Sequence, residues 1–191
     1  MKKTILYIIF AFFAANLFAQ KNININEIAP IFKLDNVKKS TDLLTDNKYI
    51  VVIFYRGSWC PVCMKHLSEL NDSLSLITDK NASVLVVTPE APESIETTKE
   101  KSKADKLTII YDKDYSIMKV FGVDYKITKN SVPKFYGFVK KYTRKANKNN
   151  DDVLPIPATF IINNENKIVF KQVDKNYKNR ASVNEILQYL K

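Results

Sequence analysis

The stretch KYIVVIFYRGSWCPVCMKH, residues 48–66, decides the fold of the chain. Residues 48–55 are mostly apolar and β-branched, which is typical of a strand that is covered on both faces of a sheet. Pro61 directly follows Cys60, and a proline suits the first position of a helix because the N–H that it lacks would have no partner there. The sequence therefore predicts a buried strand, a short turn, and a helix that begins beside Cys60.

The rest of the chain continues this alternation of strands and helices. Apolar runs predict further strands at 84–88, 107–111, 158–162 and 167–172. Amphipathic or polar segments predict helices at 61–78, 93–103, 116–121 and 183–190. This order predicts an α/β fold in which helices flank a central mixed sheet.

The length of the chain suits one domain with a substantial core and is too short for two. We expect this domain to span residues 20–191, with a short extended lead-in at 24–34. Residues 124–153 interrupt the pattern, since they are polar, rich in lysine and asparagine, and show no clear periodicity. They predict an insertion over one face of the domain, before the strand at 158–162.

A net charge of +10 raises the question of a nucleic-acid partner. The lysines are spread over nearly every segment, and the densest basic group, residues 140–148, lies in a polar, asparagine-rich stretch. Runs of this kind usually form a solvated surface. We therefore expect no nucleic-acid partner.

The N-terminal residues have the composition of a secretory signal. Two lysines precede an apolar run at 5–18, and residues 17–20 (LFAQ) offer a small residue before a polar one, as signal peptidase requires. The run is short for a membrane-spanning helix. We expect residues 1–19 to be a cleaved signal, which leaves no stable membrane anchor and directs the protein to the periplasm of a Gram-negative bacterium; the alternative is an uncleaved anchor.

Four kinds of site are compatible with two cysteines, Cys60 and Cys63, that lie three residues apart. Zinc usually takes four ligands, and with His66 the motif supplies only three of the strong ligand types. Covalent haem needs a histidine directly after the second cysteine, where this chain has Met64. A structural disulfide across so short a loop removes little entropy from the unfolded chain. We therefore expect a redox dithiol, with no metal and no other cofactor.

The start of a helix is a favourable place for a reactive thiol. Its free backbone N–H groups and the positive end of its dipole favour a thiolate on Cys60, while Cys63, further into the helix, becomes the shielded resolving thiol. Arg56 lies on the preceding turn and is either a surface residue or a cation that holds the thiolate or orients a peroxide. Trp59 neighbours Cys60, and His66 is expected to be a partly exposed helix residue.

A second motif ends in Pro157, directly before the predicted strand at 158–162. A proline in this position belongs at the start of a strand, since it cannot donate a hydrogen bond in the middle of a sheet. A cis Ile156–Pro157 bond would let backbone atoms face the dithiol, although cis is the minority form of such bonds.

Four segments together are familiar: EIAPIFKL at 27–34, FYRGSWCPVC at 54–63, PIPATFIIN at 155–163 and NYKNRA at 176–181. They resemble the thioredoxin superfamily and, more narrowly, the peroxiredoxin-like branch of the AhpC/TSA (alkyl hydroperoxide reductase/thiol-specific antioxidant) family. The resemblance covers nearly all of residues 25–191. It implies a thioredoxin-like fold with extra N-terminal strands, Cys60 as nucleophile, Cys63 as resolving thiol, and Pro157 as a cis-proline that faces them.

Two departures from the family pattern leave the reaction open. Typical peroxiredoxins carry a threonine three residues before the reactive cysteine, where this chain has Gly57, followed by Ser58. Thioredoxins and their exported relatives often carry a buried acid six residues before the first cysteine, where this chain has Phe54. The acid–base equipment of neither group is therefore complete.

Three functions are compatible with the sequence. The first, favoured by the length of the resemblance, is reduction of hydroperoxides, with Arg56 and the Ser58 hydroxyl donating hydrogen bonds to the departing oxygen. The second is thiol–disulfide exchange with protein disulfides. The third is a binding module whose dithiol is inert. Both reactions require an external thiol reductant, such as a thioredoxin-like protein or a membrane reductase.

Overall fold

The computed structural model of the protein describes residues 23–34 and 39–191, so the predicted signal at residues 1–19 lies outside the described residues. The strands are β1 (Tyr49–Phe54), β2 (Ala82–Thr88), β3 (Thr108–Tyr111), β4 (Asp124–Lys126), β5 (Val153–Pro155), β6 (Ala158–Asn163) and β7 (Ile168–Val173). The helices are α1 (Leu43–Asp46), α2 (Pro61–Asp72), α3 (Leu74–Thr78), α4 (Pro92–Ser102), α5 (Ser116–Val120), α6 (Tyr136–Asn147) and α7 (Val183–Gln188).

The continuously apolar strand β1 lies at the centre of a five-stranded sheet of order β3-β2-β1-β6-β7. It pairs in parallel with β2, which pairs in parallel with β3, and it pairs antiparallel with β6, which forms a hairpin with β7. This topology confirms the predicted α/β fold with a central mixed sheet. It also places the carboxyl ends of β1 and β2 next to each other, at the same edge of the sheet.

Alternate residues of β1 build a separate core on each face of the sheet, as the two-residue repeat of a strand requires. Val51 and Ile53 face a cluster that contains both cysteines and the apolar face of α2. Val52 and Phe54 face a second cluster, which holds the aromatic rings of Phe121 and Phe160. The dithiol is therefore part of a core and is not attached to the surface of the sheet.

The helix predicted at 61–78 is divided into α2 and α3 at Ser73. The division follows three successive residues of low helix propensity, Asn71, Asp72 and Ser73. The apolar spacing continues through the break, since Ile77 of α3 is fully buried in the cluster that holds the cysteines.

The segment at 124–153 is more regular than the sequence analysis predicts. It contains the twelve-residue helix α6 between β4 and β5, which pair antiparallel as a small second sheet. The expectation of no periodicity is wrong, since α6 buries one face, formed by Val139, Thr143, Ala146 and Asn147. Two of these four residues are polar, so the face does not stand out as an apolar pattern in the sequence. Lysines and aromatic residues on the other faces of the helix hide this pattern.

The N-terminal region differs from what the family resemblance implies. Residues 23–34 contain no strand, and their pairing consists of isolated bridges, from Ile28 to Lys167 and from Lys33 to Lys39. The extension therefore packs at the edge of the fold without lengthening the sheet. Within the described residues, no helix has the length and apolarity that crossing a membrane requires.

The peptide bond before Pro157 is trans, so the expectation of a cis-proline is wrong; the described residues contain no cis peptide bond. The chain runs extended from β5 into β6, and the Ile156 amide donates to the Val123 carbonyl at 2.7 Å. A residue before proline prefers this extended conformation, and the trans form is the intrinsically more stable one. Pro157 nevertheless lies beside the dithiol, as described below.

Candidate active site

Cys60 and Cys63 form a disulfide at the start of α2, and Pro61 is the first helical residue, as predicted. Cys60 is the N-cap residue, in an extended conformation, and its sulfur accepts a hydrogen bond from the Cys63 N–H at 3.3 Å. Both cysteines are buried, with exposed fractions of 2% for Cys60 and 0% for Cys63. The helix start thus directs a backbone donor at the Cys60 sulfur, which favours negative charge there.

Gly57 closes the turn that carries the chain from β1 to Cys60. Its carbonyl accepts the Cys60 N–H at 3.0 Å, and its backbone has a φ of 149°. A β-carbon at this position would lie 2.6 Å from Trp59 Nε1 and 3.0 Å from Glu90 Oε1. The turn of this chain therefore favours glycine at position 57 and has no room for a threonine side chain as it stands.

Glu90 holds the same turn from the neighbouring strand. Its carboxylate is fully buried and accepts from the Ser58 N–H at 2.7 Å, the Tyr55 hydroxyl at 2.8 Å and the Thr98 hydroxyl at 2.7 Å. The pKa of Tyr55 is raised well above its usual value, mainly by burial and to a smaller extent by the charge of Glu90. The phenol therefore keeps its proton and remains a hydrogen-bond donor. Glu90 was not predicted from the sequence; the available signal was an acid just after β2, at the carboxyl end of a parallel strand.

Arg56 is buried, with an exposed fraction of 8%, and lines the same cavity as Cys60. Its guanidinium carbon lies 4.9 Å from the centre of the Trp59 ring and 4.7 Å from that of Tyr177, so two aromatic faces hold the cation. Within the described part of the chain, its Nε has no hydrogen-bond partner. Burial lowers the pKa of Arg56, because the charged form loses its hydration.

An apolar cavity of about 400 Å³ opens beside Cys60 and Arg56. The polypeptide from β4 through β5 supplies one wall, and Pro157, Lys175 and Tyr177 lie on the border of the cavity. The apolar lining of that wall includes Tyr125, Ile127, Val132, Phe135, Val139 and Leu154. The predicted insertion therefore covers the carboxyl end of β1, next to which Cys60 lies.

Arg180 contacts the second cysteine. Its Nη2 donates to the Cys63 sulfur at 3.1 Å, while its Nε donates to the Tyr177 carbonyl at 3.0 Å and its Nη1 to the Phe54 carbonyl at 3.5 Å. The pKa of Arg180 is lowered to about 10, mainly by burial and to a smaller extent by repulsion from Arg56. Arg180 therefore remains a cation at neutral pH. Arg180 belongs to the family-like motif at 176–181, but no role was predicted for it from the sequence.

One predicted supporting residue, Ser58, does not line the cavity beside Cys60. Ser58 borders a separate groove of about 790 Å³, between α4 and α6, instead of the cavity beside Cys60. Its amide is bonded to Glu90 and its carbonyl accepts from Lys101 Nζ at 3.3 Å. Trp59 lines both spaces, and its Nε1 is buried without a hydrogen-bond partner in the described part of the chain.

His66 is buried, with an exposed fraction of 5%, so the prediction of a partly exposed residue is wrong. The residues before α7 cover it, and its Nε2 lies 2.9 Å from the Ala181 carbonyl, which makes Nε2 the donor. Burial lowers the pKa of His66, and the charge of nearby Arg180 acts in the same direction. His66 hydrogen-bonds to this carbonyl and not to either cysteine, so it supports the fold around the dithiol.

With this geometry in view, comparison with known proteins identifies the family. The sequence profile of the AhpC/TSA family matches residues 25–171. The chain belongs to the AhpC/TSA family. It is therefore a thiol-dependent oxidoreductase of the peroxiredoxin-like type, and the resemblance inferred from the four motifs is confirmed.

Individual relatives agree with this assignment. The chain is 26% identical over 171 residues to peroxiredoxin Bcp of Bacillus subtilis (strain 168), a match that covers 88% of this chain and 96% of the relative. Among solved structures, peroxidoxin BcpB of Mycobacterium tuberculosis superposes with a TM-score of 0.66 at 16% identity, over 88% of this chain and 97% of that one. Reduced Prx3 of Vibrio vulnificus in complex with hydrogen peroxide superposes with a TM-score of 0.64 at 16% identity, over 88% and 99%. The structural matches show a shared fold.

The geometry of the turn at Gly57 predicts that a methyl group added there lowers the stability of the protein. We expect Gly57→Ala to lower the free energy of unfolding by about 1–3 kcal/mol, because its backbone conformation strains an alanine and its β-carbon meets the indole. Gly137→Ala in α6 is the matched control, since a β-carbon there has no neighbour within 4 Å and should cause no loss. Urea unfolding curves that coincide for the two variants would contradict the assigned role of Gly57.

The buried His66 predicts a defined pH dependence of stability. Its folded-state pKa is lowered, so the unfolded state takes up the proton first and stability falls as the pH drops below about 6.5, by up to about 1.4 kcal/mol per pH unit. His66→Gln keeps a donor for Ala181 and should flatten the curve between about pH 7 and pH 5.5, above the range in which carboxylates titrate. An unchanged pH slope in urea unfolding of this variant would refute the prediction.

Proposed function

We propose that the protein reduces hydroperoxides, with Cys60 as nucleophile and Cys63 as resolving thiol. One observation carries the proposal. Cys60 is only 2% exposed, and it lines an apolar cavity of about 400 Å³ together with a buried arginine. A small hydroperoxide fits this cavity, whereas a disulfide on the surface of a folded protein would have to displace the covering segment to reach the sulfur.

The first step is attack of the Cys60 thiolate on the outer peroxide oxygen. A sulfur–oxygen bond forms and the O–O bond breaks, so Cys60 is oxidised to a sulfenic acid and the peroxide is reduced. The departing oxygen leaves as an anion, takes up a proton, and is released as water or an alcohol. The N-terminus of α2 favours the attacking thiolate, and the unpaired Nε of Arg56 is available to donate to the departing oxygen.

The second step joins the two cysteines. Cys63 attacks the sulfenic sulfur, a disulfide forms, and the hydroxide that leaves combines with the Cys63 proton as water. The structure contains the product of this step, a disulfide between Cys60 and Cys63. An external dithiol, carried by a thioredoxin-like protein or a membrane reductase, then returns both cysteines to thiols and is itself oxidised. For a protein reductant, this step requires the covering segment to move away from Cys60.

A second candidate is thiol–disulfide exchange with protein disulfides. The groove of about 790 Å³ between α4 and α6 favours it, because the groove runs past Trp59 and Pro61 and is large enough for a segment of polypeptide. Its border includes the exposed ring of Phe138. The burial of both sulfurs makes this reaction the second choice.

We further propose that the protein acts outside the cytoplasm, in the periplasm of a Gram-negative bacterium. The support is the composition of residues 1–19, in which two lysines precede an apolar run and a small residue before Gln20. In such a compartment the dithiol needs a dedicated reductant, since the surroundings favour the disulfide.

A stopped-flow experiment separates the two reactions. Pre-reduced protein is mixed with hydrogen peroxide, with an apolar organic hydroperoxide or with a protein disulfide, and the fluorescence of Trp59 reports oxidation of the adjacent Cys60. We expect both hydroperoxides to oxidise the protein far faster than they oxidise a free thiol. Oxidation no faster than that of a free thiol, together with rapid reduction of the protein disulfide, would replace the first candidate with the second.

Variants assign the roles within that experiment. Cys60→Ser should abolish turnover, and Cys63→Ser should stop at a sulfenic acid that a dimedone probe labels. Arg56→Gln should lower the rate of the first step about 100-fold, as does the loss of one donor to developing negative charge. Lys65→Gln removes an exposed charge from α2, serves as the control and should leave the rate unchanged. Equal rates for Arg56→Gln, Lys65→Gln and wild type would exclude Arg56 from the reaction.

A further inference from the structure

We propose that Arg180 is a further catalytic residue, which holds Cys63 as a thiolate both when it attacks Cys60 and when it leaves. The inference rests on the proposed function, in which the two cysteines alternate between dithiol and disulfide. It assigns a distinct source of positive charge to each sulfur: the helix start to Cys60, and Arg180 to Cys63.

The geometry fixes the guanidinium of Arg180 against the Cys63 sulfur. Two backbone carbonyls, those of Phe54 and Tyr177, accept from Nη1 and Nε, which leaves Nη2 directed at the sulfur at 3.1 Å. Among the described residues, no carboxylate forms an ion pair with this arginine. The cation is therefore held in place by neutral groups, and its charge is available to the sulfur.

Cys63 requires such a partner because its surroundings disfavour a thiolate. It is fully buried in an apolar cluster with Leu67 and Leu70, and burial in apolar surroundings stabilises the neutral thiol. The backbone N–H of Cys63 is already used by the Cys60 sulfur. The helix start thus serves Cys60, and the hydrogen-bonded cation at Cys63 is supplied by the C-terminal segment.

Repulsion between the two arginines adds to the effect. Arg56 and Arg180 both lie beside the dithiol, and their repulsion contributes to the lowered pKa of Arg180, which at about 10 still leaves the group protonated at neutral pH. A negative charge that appears beside Arg180 reduces this unfavourable interaction. The pair of cations therefore stabilises Cys63 whenever it is a thiolate, a form that only the reduced protein can adopt.

The proposed role covers both directions of the redox cycle. In the oxidative direction, the Cys63 thiolate attacks the Cys60 sulfenic acid, and the leaving hydroxide takes up a proton as water. In the reductive direction, an external thiolate attacks the Cys60 sulfur, the electron pair of the S–S bond moves to Cys63, and Cys63 leaves as a thiolate. Because a better-stabilised thiolate leaves faster, Arg180 directs the mixed disulfide to Cys60, which is the sulfur that lines the cavity.

The first test separates formation of the sulfenic acid from its resolution. In Arg180→Gln, reaction of Cys60 with hydrogen peroxide should stay within about twofold of wild type, whereas disulfide formation should slow about tenfold. The surviving sulfenic acid reacts with a second peroxide, so sulfinic acid on Cys60, measured by mass spectrometry, should appear at about a tenth of the usual peroxide concentration. Arg180→Lys should retain part of the effect, and Lys178→Gln, an exposed lysine of the same loop, should match wild type.

The second test needs no peroxide. Arg180→Gln should shift the equilibrium with dithiothreitol about tenfold toward the protein disulfide, which is about 30 mV toward a more reducing potential. Equal losses in both oxidative steps, or no change in the peroxide threshold and in the dithiothreitol equilibrium, would show a merely structural role and overturn the proposal. If wild type fails to react with peroxide, the proposed function fails, while the equilibrium shift still decides whether Arg180 stabilises the Cys63 thiolate.

Discussion

The site depends on one hydrogen bond, from the Cys63 N–H to the Cys60 sulfur, which places the reactive atom at the start of α2. This contact exists because a buried strand leads into a helix within a few residues. Gly57 permits the turn, Glu90 fixes it from the neighbouring strand, and Pro61 begins the helix without losing a hydrogen bond. The helix start then favours negative charge on Cys60, as a nucleophilic thiol requires.

The positive charges around the dithiol share an unusual property, in that they lack acidic partners among the described residues. Arg56 is held by two aromatic rings, and Arg180 by two backbone carbonyls. Keeping such cations buried costs free energy, and that cost decreases when an anion forms beside them. Thiolates and the departing peroxide oxygen are anions of this kind, so the arrangement is more favourable during the reaction than before it.

Local sequence signals predicted the dithiol and the nearby Arg56 and Pro61, but not Glu90 or Arg180. The strand, Cys60 and Pro61 are adjacent in sequence, so their spacing was enough to place the reactive sulfur. Glu90 and Arg180 reach the site only through the pairing of β1 with β2 and the return of the chain after β7, which no local pattern shows. The helix within 124–153 was missed because lysines and aromatic residues on its other faces hide the buried pattern. The trans bond before Pro157 was missed because the family resemblance implied a cis bond, although trans is the intrinsically more stable form.

The rate at which Cys60 is alkylated tests the central claim that the start of α2 favours a thiolate on this residue. The reduced Cys63→Ala variant, in which Cys60 is the remaining cysteine, is treated with iodoacetamide at neutral pH in its native state and after unfolding in urea. The account predicts faster alkylation of the native protein, because the helix start favours the thiolate and the cavity admits a small reagent. Native alkylation no faster than that of the unfolded chain would contradict the account.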